Sequence, residues 1–259
     1  MSDLSRIGNK TKIIAFIAIF AAVYTVLRRI PTVPMVGVAG AYFSLSDVAA
    51  PIYGAILGPF TGGLSVVLGT FLAIASGRAA PFLGLDFLPA TVNVIAIALL
   101  LKRKWGIVVV LNAVLLLTFL LHPFTSFLVN IPIGETTLTF PFAWLHIVAF
   151  IVLISPLGRK AATWVLTLET ASIAKGLAIL AFVGTMMQHL MGNLLYEVIF
   201  GQVLQYYSQV EFATVIWPSV FFLYPVERLL LIILAVVIGT PLVRVLKKTV
   251  FTESSVNAI

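Results

Sequence analysis

The sequence predicts an all-α fold, a polytopic transmembrane helix bundle. Three observations carry that expectation. Of 259 residues, 61% are hydrophobic and only 10% are charged, against roughly 25% charged in soluble domains. The apolar residues fall into eight runs separated by short polar breaks. Lys and Arg gather at alternate breaks. A chain so poor in polar residues cannot clothe a water-soluble globule, which excludes a soluble enzyme, a disordered tail and a coiled coil.

The first apolar segment covers about 12–30 and passes into Arg28-Arg29 without an Ala-x-Ala cleavage pattern, so no cleavable signal is expected. A loop rich in Pro, Gly and Val follows. The second and third segments, about 45–58 and 60–76, meet at Gly58-Pro59. The fourth, about 87–101, ends at Lys102-Arg103-Lys104, and the fifth covers about 105–121. A loop from His122 to Phe140 leads to the sixth, about 141–157, which ends at Arg159-Lys160. The seventh is about 172–198 and the eighth about 225–246, closed by Lys247-Lys248. Several are shorter than the ~20 residues that a perpendicular span prefers.

With eight crossings, Arg6/Lys10/Lys12, Lys102/Arg103/Lys104, Arg159/Lys160/Lys175 and Arg244/Lys247/Lys248 fall on one side. The positive-inside rule makes that side cytoplasmic. The expectation is a single integral domain, 1–259, in the cell membrane, with both termini cytoplasmic. Arg28, Arg29 and Arg78 fall on the other side, against the rule. The net charge of +7 then reflects contact with anionic membrane lipid, not nucleic acid. There is no cysteine, so neither a disulfide nor a thiolate metal site can form. No cofactor is expected.

Residues 40–72 differ from the rest. Gly54, Gly58 and Gly62 recur every four residues and Gly69 follows. Small residues at this spacing let helix backbones approach in lipid. Pro59 suits the first turn of the second helix of a tight hairpin. Ser46 or Asp47 suits the cap of the first.

The stretch SLSDVAAPIYGAILGPFTGGLSVVLGTFLA resembles the substrate-binding (S) subunits of energy-coupling factor (ECF) transporters. Leu45, Asp47, Gly54, Gly58, Pro59, Gly62, Gly63 and Gly69 carry that resemblance. Ala15, Ala18 and Ala22 on the first helix are similar to the small-residue motif with which such subunits dock on their transmembrane partner. The last helix, Pro225 to Lys248, is similar as well. The resemblance implies a six-helix core, about 10–101 and 170–248. The region 105–157 would be an inserted helical hairpin, which keeps the in/out sense of everything after it. It also implies partners: a transmembrane coupling subunit, ATPase subunits and a small-molecule substrate. No GxxxxGK[ST] loop occurs, so the ATPases would be other chains.

Ionisable groups in a membrane core cost about 2.5–3.5 kcal/mol each on insertion scales, so they mark candidate sites. Thr185, His189, Asn193 and Glu197 are four apart on the seventh segment, with Gln188, Gly192 and Tyr196 beside them. His189 lies about 21 Å along the helix from Lys175, in the outer half of the bilayer. The eighth segment begins with Trp217, Tyr224, Pro225, Glu227 and Arg228. Pro225 suits a first helical turn and Glu227 the positive dipole end. Asp86 precedes the fourth helix and Asn93 lies two turns in. The expected substrate-binding set is Asn93, Gln188, His189, Asn193, Glu197, Trp217, Tyr224 and Glu227, with the loop 31–44 as a lid. The bland alternatives are packing glue between helices for Gln188, His189 and Asn193, an interfacial position for Glu197, an interfacial belt with a cap for the aromatics, and an inert connector for the loop 31–44.

The leading expectation is therefore a non-enzymatic capture subunit that binds a small vitamin-like molecule outside the cell. One alternative is a structural subunit of a larger membrane complex. Another is an intramembrane protease. Phe142-x-x-x-His146 and His189-x-x-x-Asn193 resemble two motifs of the CAAX-type enzymes, but their Glu-Glu-x-x-x-Arg motif is absent. Three scattered histidines argue against a metal substrate.

Overall fold

The computed structural model describes residues 2–256, and side chains at 10–131 and 134–246. Helix α1 is Ser2–Arg29. A short antiparallel pair, β1 (Pro31–Pro34) and β2 (Tyr42–Ser44), follows. Then come α2 (Ser46–Ala75), α3 (Leu88–Leu101) and α4 (Trp105–Leu121). A β-hairpin, β3 (Leu128–Ile133) and β4 (Thr136–Pro141), leads to α5 (Trp144–Ile154) and α6 (Pro156–Val165). Helix α7 (Thr170–Tyr196) continues as a π-helix over Glu197–Val203. A single turn, α8 (Gln209–Glu211), and a second π stretch (Phe212–Ile216) precede α9 (Trp217–Val256). The protein is a helical, multi-pass membrane protein. Among the described residues four helical stretches are long and apolar enough to cross a membrane, or five if the bent pair α5–α6 counts as one.

Helix α2 is one of those stretches by length, yet it folds back on itself. Gly58 has φ 77° and ψ 178° inside it. That left-handed φ is open to glycine at little cost. Beyond it, a Cβ at Gly62 would sit 3.1 Å from the carbonyl oxygen of Tyr53. In a straight helix nine residues would separate these levels by about 13 Å. The chain therefore reverses at Gly58-Pro59, and α2 is the expected hairpin. Its first arm descends beside α1, with Tyr53 Oη donating to Phe20 O at 2.8 Å. Its second arm climbs back along α1, where Thr25 Oγ1 donates to Gly69 O at 3.2 Å.

Side-chain-free surfaces make this packing close. A Cβ at Gly54 would lie 2.7 Å from Val94 O, and one at Gly69 would lie 2.8 Å from Ala21 O. Both neighbours are backbone and cannot give way. In lipid, where apolar contact brings no gain over lipid contact, such approach is a main source of helix association.

The eight traverses alternate as expected. Arg159 lies 4.2 Å over the Trp105 ring, and a Cβ at Gly176 would meet Ala161 O. Lys102, Arg103, Lys104, Arg159, Lys160 and Lys175 thus share one end of the bundle, called here the basic end. Gly239 of α9 packs on Leu177, which brings Arg244 to the same end. Arg6, Lys247 and Lys248 have side chains outside those described. Ala15, Ala18 and Ala22 are all exposed on α1, while Ile17, Ala21 and Tyr24 are buried.

Four local expectations need correction. Neither Ser46 nor Asp47 caps α2: the N-cap is Leu45 and no side chain bonds there. Ser46 Oγ pairs with Ser44 Oγ at 2.8 Å instead. Pro225 does not open the last helix but lies inside α9, which starts at Trp217. The sixth segment breaks at Ser155-Pro156, and α6 turns 73° away from α5. Ser155 caps α6 by accepting from Leu157 N at 3.2 Å, and Pro156 suits its first position. Finally, 122–140 is no plain loop. It contains the β3–β4 hairpin, with Val129 opposite Phe140 and Asn130 opposite Thr139.

Candidate functional site

A cavity opens at the end opposite the basic end. It encloses about 1000 Å³ of atom-free space including its mouth. Its wall is built from α7, where Gln188, His189, Gly192, Asn193 and Tyr196 line it. Trp217, Tyr224, Glu227 and Arg228 of α9 face them. Arg28 closes one side from α1, and Asp47 another from α2. Arg78, Phe82 and Asp86 come from the loop between α2 and α3. Met35, Val36, Tyr42 and Phe43 cover it from the β1–β2 segment.

Six of the expected residues line this cavity: Gln188, His189, Asn193, Trp217, Tyr224 and Glu227. Asn93 lies behind it. Its Nδ2 donates to Gln188 Oε1 at 2.7 Å, and Gln188 Nε2 donates to Asp47 Oδ1 at 2.7 Å. Asn93 therefore sets the orientation of Gln188, and the chain of bonds ties α3, α7 and α2 together.

Glu197 is placed elsewhere. It is fully buried, accepts from Thr125 Oγ1 at 2.6 Å, and lies 2.9 Å from His122 Nδ1 off the line of a hydrogen bond. Thr185 does not reach the cavity either, and donates to Ala181 O at 2.7 Å. The reason is geometric. Positions four apart on a 3.6-residue helix drift by about 40° each, so Thr185 and Glu197 point about 120° apart. The face that lines the cavity is 188, 189, 192, 193 and 196, and only the middle of the four-residue stripe lies on it. Thr185 and Glu197 are buried and hydrogen-bonded away from the cavity, and Glu197 is not interfacial. Of the residues with a packing-glue alternative, Gln188 and His189 bond to neighbouring helices and also line the cavity.

Asp47, Arg228, Arg28, Arg78 and Asp86 line the site but were not in the expected set. Asp47 has a local explanation as a cap, Arg28 and Arg78 stand as exceptions to an orientation rule, and Arg228 belongs to the charged start of the eighth segment. Their shared signal is charge at the ends of apolar segments. Arg228 Nη2 donates to Glu227 Oε1 at 2.9 Å, and its guanidinium carbon lies 5.9 Å from the Phe43 ring centroid. Arg28 Nη2 lies 3.6 Å from Asp86 Oδ1. Burial pushes the Asp86 carboxyl up from its ordinary value, against the opposing pull of Arg28. Burial also pulls the Arg78 guanidinium down. Arg78 donates to the Tyr42 carbonyl and so fastens the covering segment. Three arginines thus face three carboxylates, and the charges of the cavity balance.

The covering segment is held at its tip as well. Tyr196 Oη donates to Val36 O at 2.9 Å, and Tyr207 donates to Gly37 O. The back wall is aromatic. His189 stacks on Tyr224 at 4.9 Å between centroids, and on His146 at 5.1 Å with 7° between the rings. His146 Nε2 and His189 Nδ1 are 2.9 Å apart, so one ring donates to the other. Tyr224 Oη donates to Phe142 O at 3.0 Å, and Trp217 Nε1 to Phe124 O at 2.8 Å. The region 105–157 therefore supports the wall from behind. Asn193 Nδ2, Arg228 Nε, Arg28 Nε and Asp86 Oδ2 are buried with no partner among the described residues. Such groups are uncommon in folded proteins and call for an explanation.

The fold and cavity define a helical membrane protein with a ligand-sized pocket near one face. The family model of the ECF-type riboflavin transporter S component matches residues 8–82. Those residues are most of α1, the covering segment, the α2 hairpin and the start of the loop after it. The match thus covers most of the first part of the resemblance to S subunits and not its second part, about 170–248. No curated protein and no solved structure matches the chain.

Proposed function

We propose that this chain is the substrate-capture subunit of an ECF-type importer, and that its cavity takes a flat heteroaromatic vitamin such as riboflavin. The observation that carries the reading is a set of unsatisfied buried groups at an aromatic-walled cavity, the donors Asn193 Nδ2, Arg228 Nε and Arg28 Nε and the acceptor Asp86 Oδ2. A ligand with ring nitrogens and carbonyls along one edge would satisfy them, while Trp217, Tyr224 and Phe43 meet its faces. The family matched by residues 8–82 is named for riboflavin, which supports that choice of ring system.

The positive-inside rule assigns the basic end to the cytoplasm, so the cavity opens outward. Residues of the segment 31–44 cover the cavity, fastened by Arg78, Tyr196 and Tyr207, so this segment is the element that would open for entry. Ala15, Ala18 and Ala22 form an exposed strip of small side chains on which a transmembrane coupling subunit docks. ATPase subunits on that partner would supply the energy.

The test is titration of the detergent-purified chain with riboflavin, read by quenching of flavin fluorescence. Saturable one-to-one quenching is expected, weakened by at least about tenfold in Asn193→Ala, for the loss of one or two buried hydrogen bonds. If riboflavin fails but native mass spectrometry finds another small molecule retained, the capture role stands and the ligand changes. If Ala18→Arg with Ala22→Arg leaves cellular uptake intact, the docking role fails. Isolation without any small molecule, in fixed ratio with an unrelated complex, would favour the structural-subunit reading. The protease reading has one point in its favour, the meeting of His146 and His189. His146, however, does not line the cavity.

A further inference from the structure

A second cleft lies at the basic end, between the end of α3, the start of α4 and α6. It holds about 930 Å³ of atom-free space including its mouth. Arg103, Trp105, Arg159, Thr163 and Leu166 line it. We propose that this cleft binds the phosphate of an anionic glycerophospholipid.

The two arginines are placed at some cost. Arg103 has φ 59°, a left-handed conformation just past the end of α3. Glycine is the usual residue there, because a Cβ is disfavoured. A long cationic side chain at such a position suggests a use for the side chain. Arg159 is held over the Trp105 ring at 4.2 Å, and that ring is fixed by Trp105 Nε1 donating to Leu153 O at 2.8 Å. Among the described residues neither arginine has a carboxylate partner. Two guanidinium groups without counter-charge on one cleft match a phosphate, which guanidinium forks bind well.

The setting selects a lipid over a free anion. Helix α6 turns 73° from α5 and lies across the end of the bundle. It buries Gly158, Ala161, Ala162 and Val165, and exposes Arg159, Lys160 and Thr163 together with Leu157 and Leu166. A short helix with basic and apolar exposed residues suits a membrane surface. Leading away from the cleft, α4 exposes Ile107 and Val110, and α5 exposes Ile151 and Ile154. Acyl chains have apolar surface to follow from a headgroup held here. Basic pockets between helices on the cytoplasmic side are suited to anionic headgroups.

The test is native mass spectrometry of the full-length chain from micelles doped with phosphatidylglycerol or with phosphatidylcholine. The expected result is one phosphatidylglycerol adduct that survives collisional activation and has no phosphatidylcholine counterpart. Arg103→Gly with Arg159→Gln should lower its occupancy on the order of tenfold. Arg244→Gln, an exposed arginine at the same end, should leave it intact. Arg103→Gly alone removes the left-handed strain, so it should lower occupancy while melting no earlier than the parent. An unchanged adduct in the double variant overturns the proposal, as does equal loss in Arg244→Gln or equal retention of phosphatidylcholine. Displacement by millimolar inorganic phosphate would assign the cleft to a free anion and overturn the lipid.

Discussion

At the cavity end Arg28, Arg78 and Arg228 sit among Asp47, Asp86 and Glu227, and Arg228 is buried with 2% exposure. At the basic end Arg103 and Arg159 are exposed and, among the described residues, have no carboxylate beside them. The residue type is the same, and its energetic role is opposite. A buried arginine beside buried carboxylates is part of a unit that fails when one member is removed. An exposed arginine is screened and contributes little to folding. The chain thus uses arginine at one end to hold a cavity together, and at the other to face whatever lies outside it.

The largest expected effect tests that contrast directly. Arg228→Leu strands the buried Glu227, so it should cost about 3–5 kcal/mol. Arg159→Gln should cost less than about 1 kcal/mol, the worth of one exposed cation–π contact. Thermal melts in one detergent compare the two, and equal losses would break the distinction.

Next in size is Gln188→Leu. It removes both bonds that join Asn93 to Asp47. Leaving two buried polar groups unpaired should cost about 2–4 kcal/mol and should weaken ligand binding as well. Binding loss with an unchanged melt would mean that the network serves only the ligand.

A smaller effect is expected at Asp86. Its raised carboxyl pKa means that the folded chain holds that proton more tightly than the unfolded chain. Its contribution to stability is complete below the ordinary value of about 3.9 and is lost as pH rises through the folded value. Asp86→Asn should flatten this part of the stability profile, measured by melts from about pH 4 to 7. An unchanged slope would show that Asp86 does not contribute to it.

The smallest effect is a gain. Arg103→Gly relieves a left-handed arginine and should stabilise the chain by about 0.5–1 kcal/mol. A loss instead would mean that the Arg103 side chain anchors the basic end.

Much of the architecture was legible in the sequence. The reversal at Gly58-Pro59 was readable because glycine and proline there have a specific backbone meaning. The alternation of ends was readable because Lys and Arg positions obey a membrane rule. The breaks that were missed also left traces. Ser155-Pro156 is a helix-start signature inside an apolar run, and Gly134 marks the β3–β4 turn. Apolarity masked both, since a hydrophobic run reads the same whether straight, bent or paired. Pro225 misled in the other direction: a proline inside a long membrane helix is tolerated when its neighbours take up the freed groups.

Composition and charge placement, which are properties of the chain, determined that this protein lives in a membrane and how often it traverses the bundle. They also narrowed the polar residues to a few helices. Only the tertiary structure decided which of those residues share a cavity. Helical drift of about 40° per four residues turned Thr185 and Glu197 away from His189 and Asn193. Contacts between residues more than a hundred positions apart, such as Gln188 with Asp47, made Asp47 a wall of the site instead of a helix cap. No local pattern records such a partner, because it depends on how the helices are set against one another.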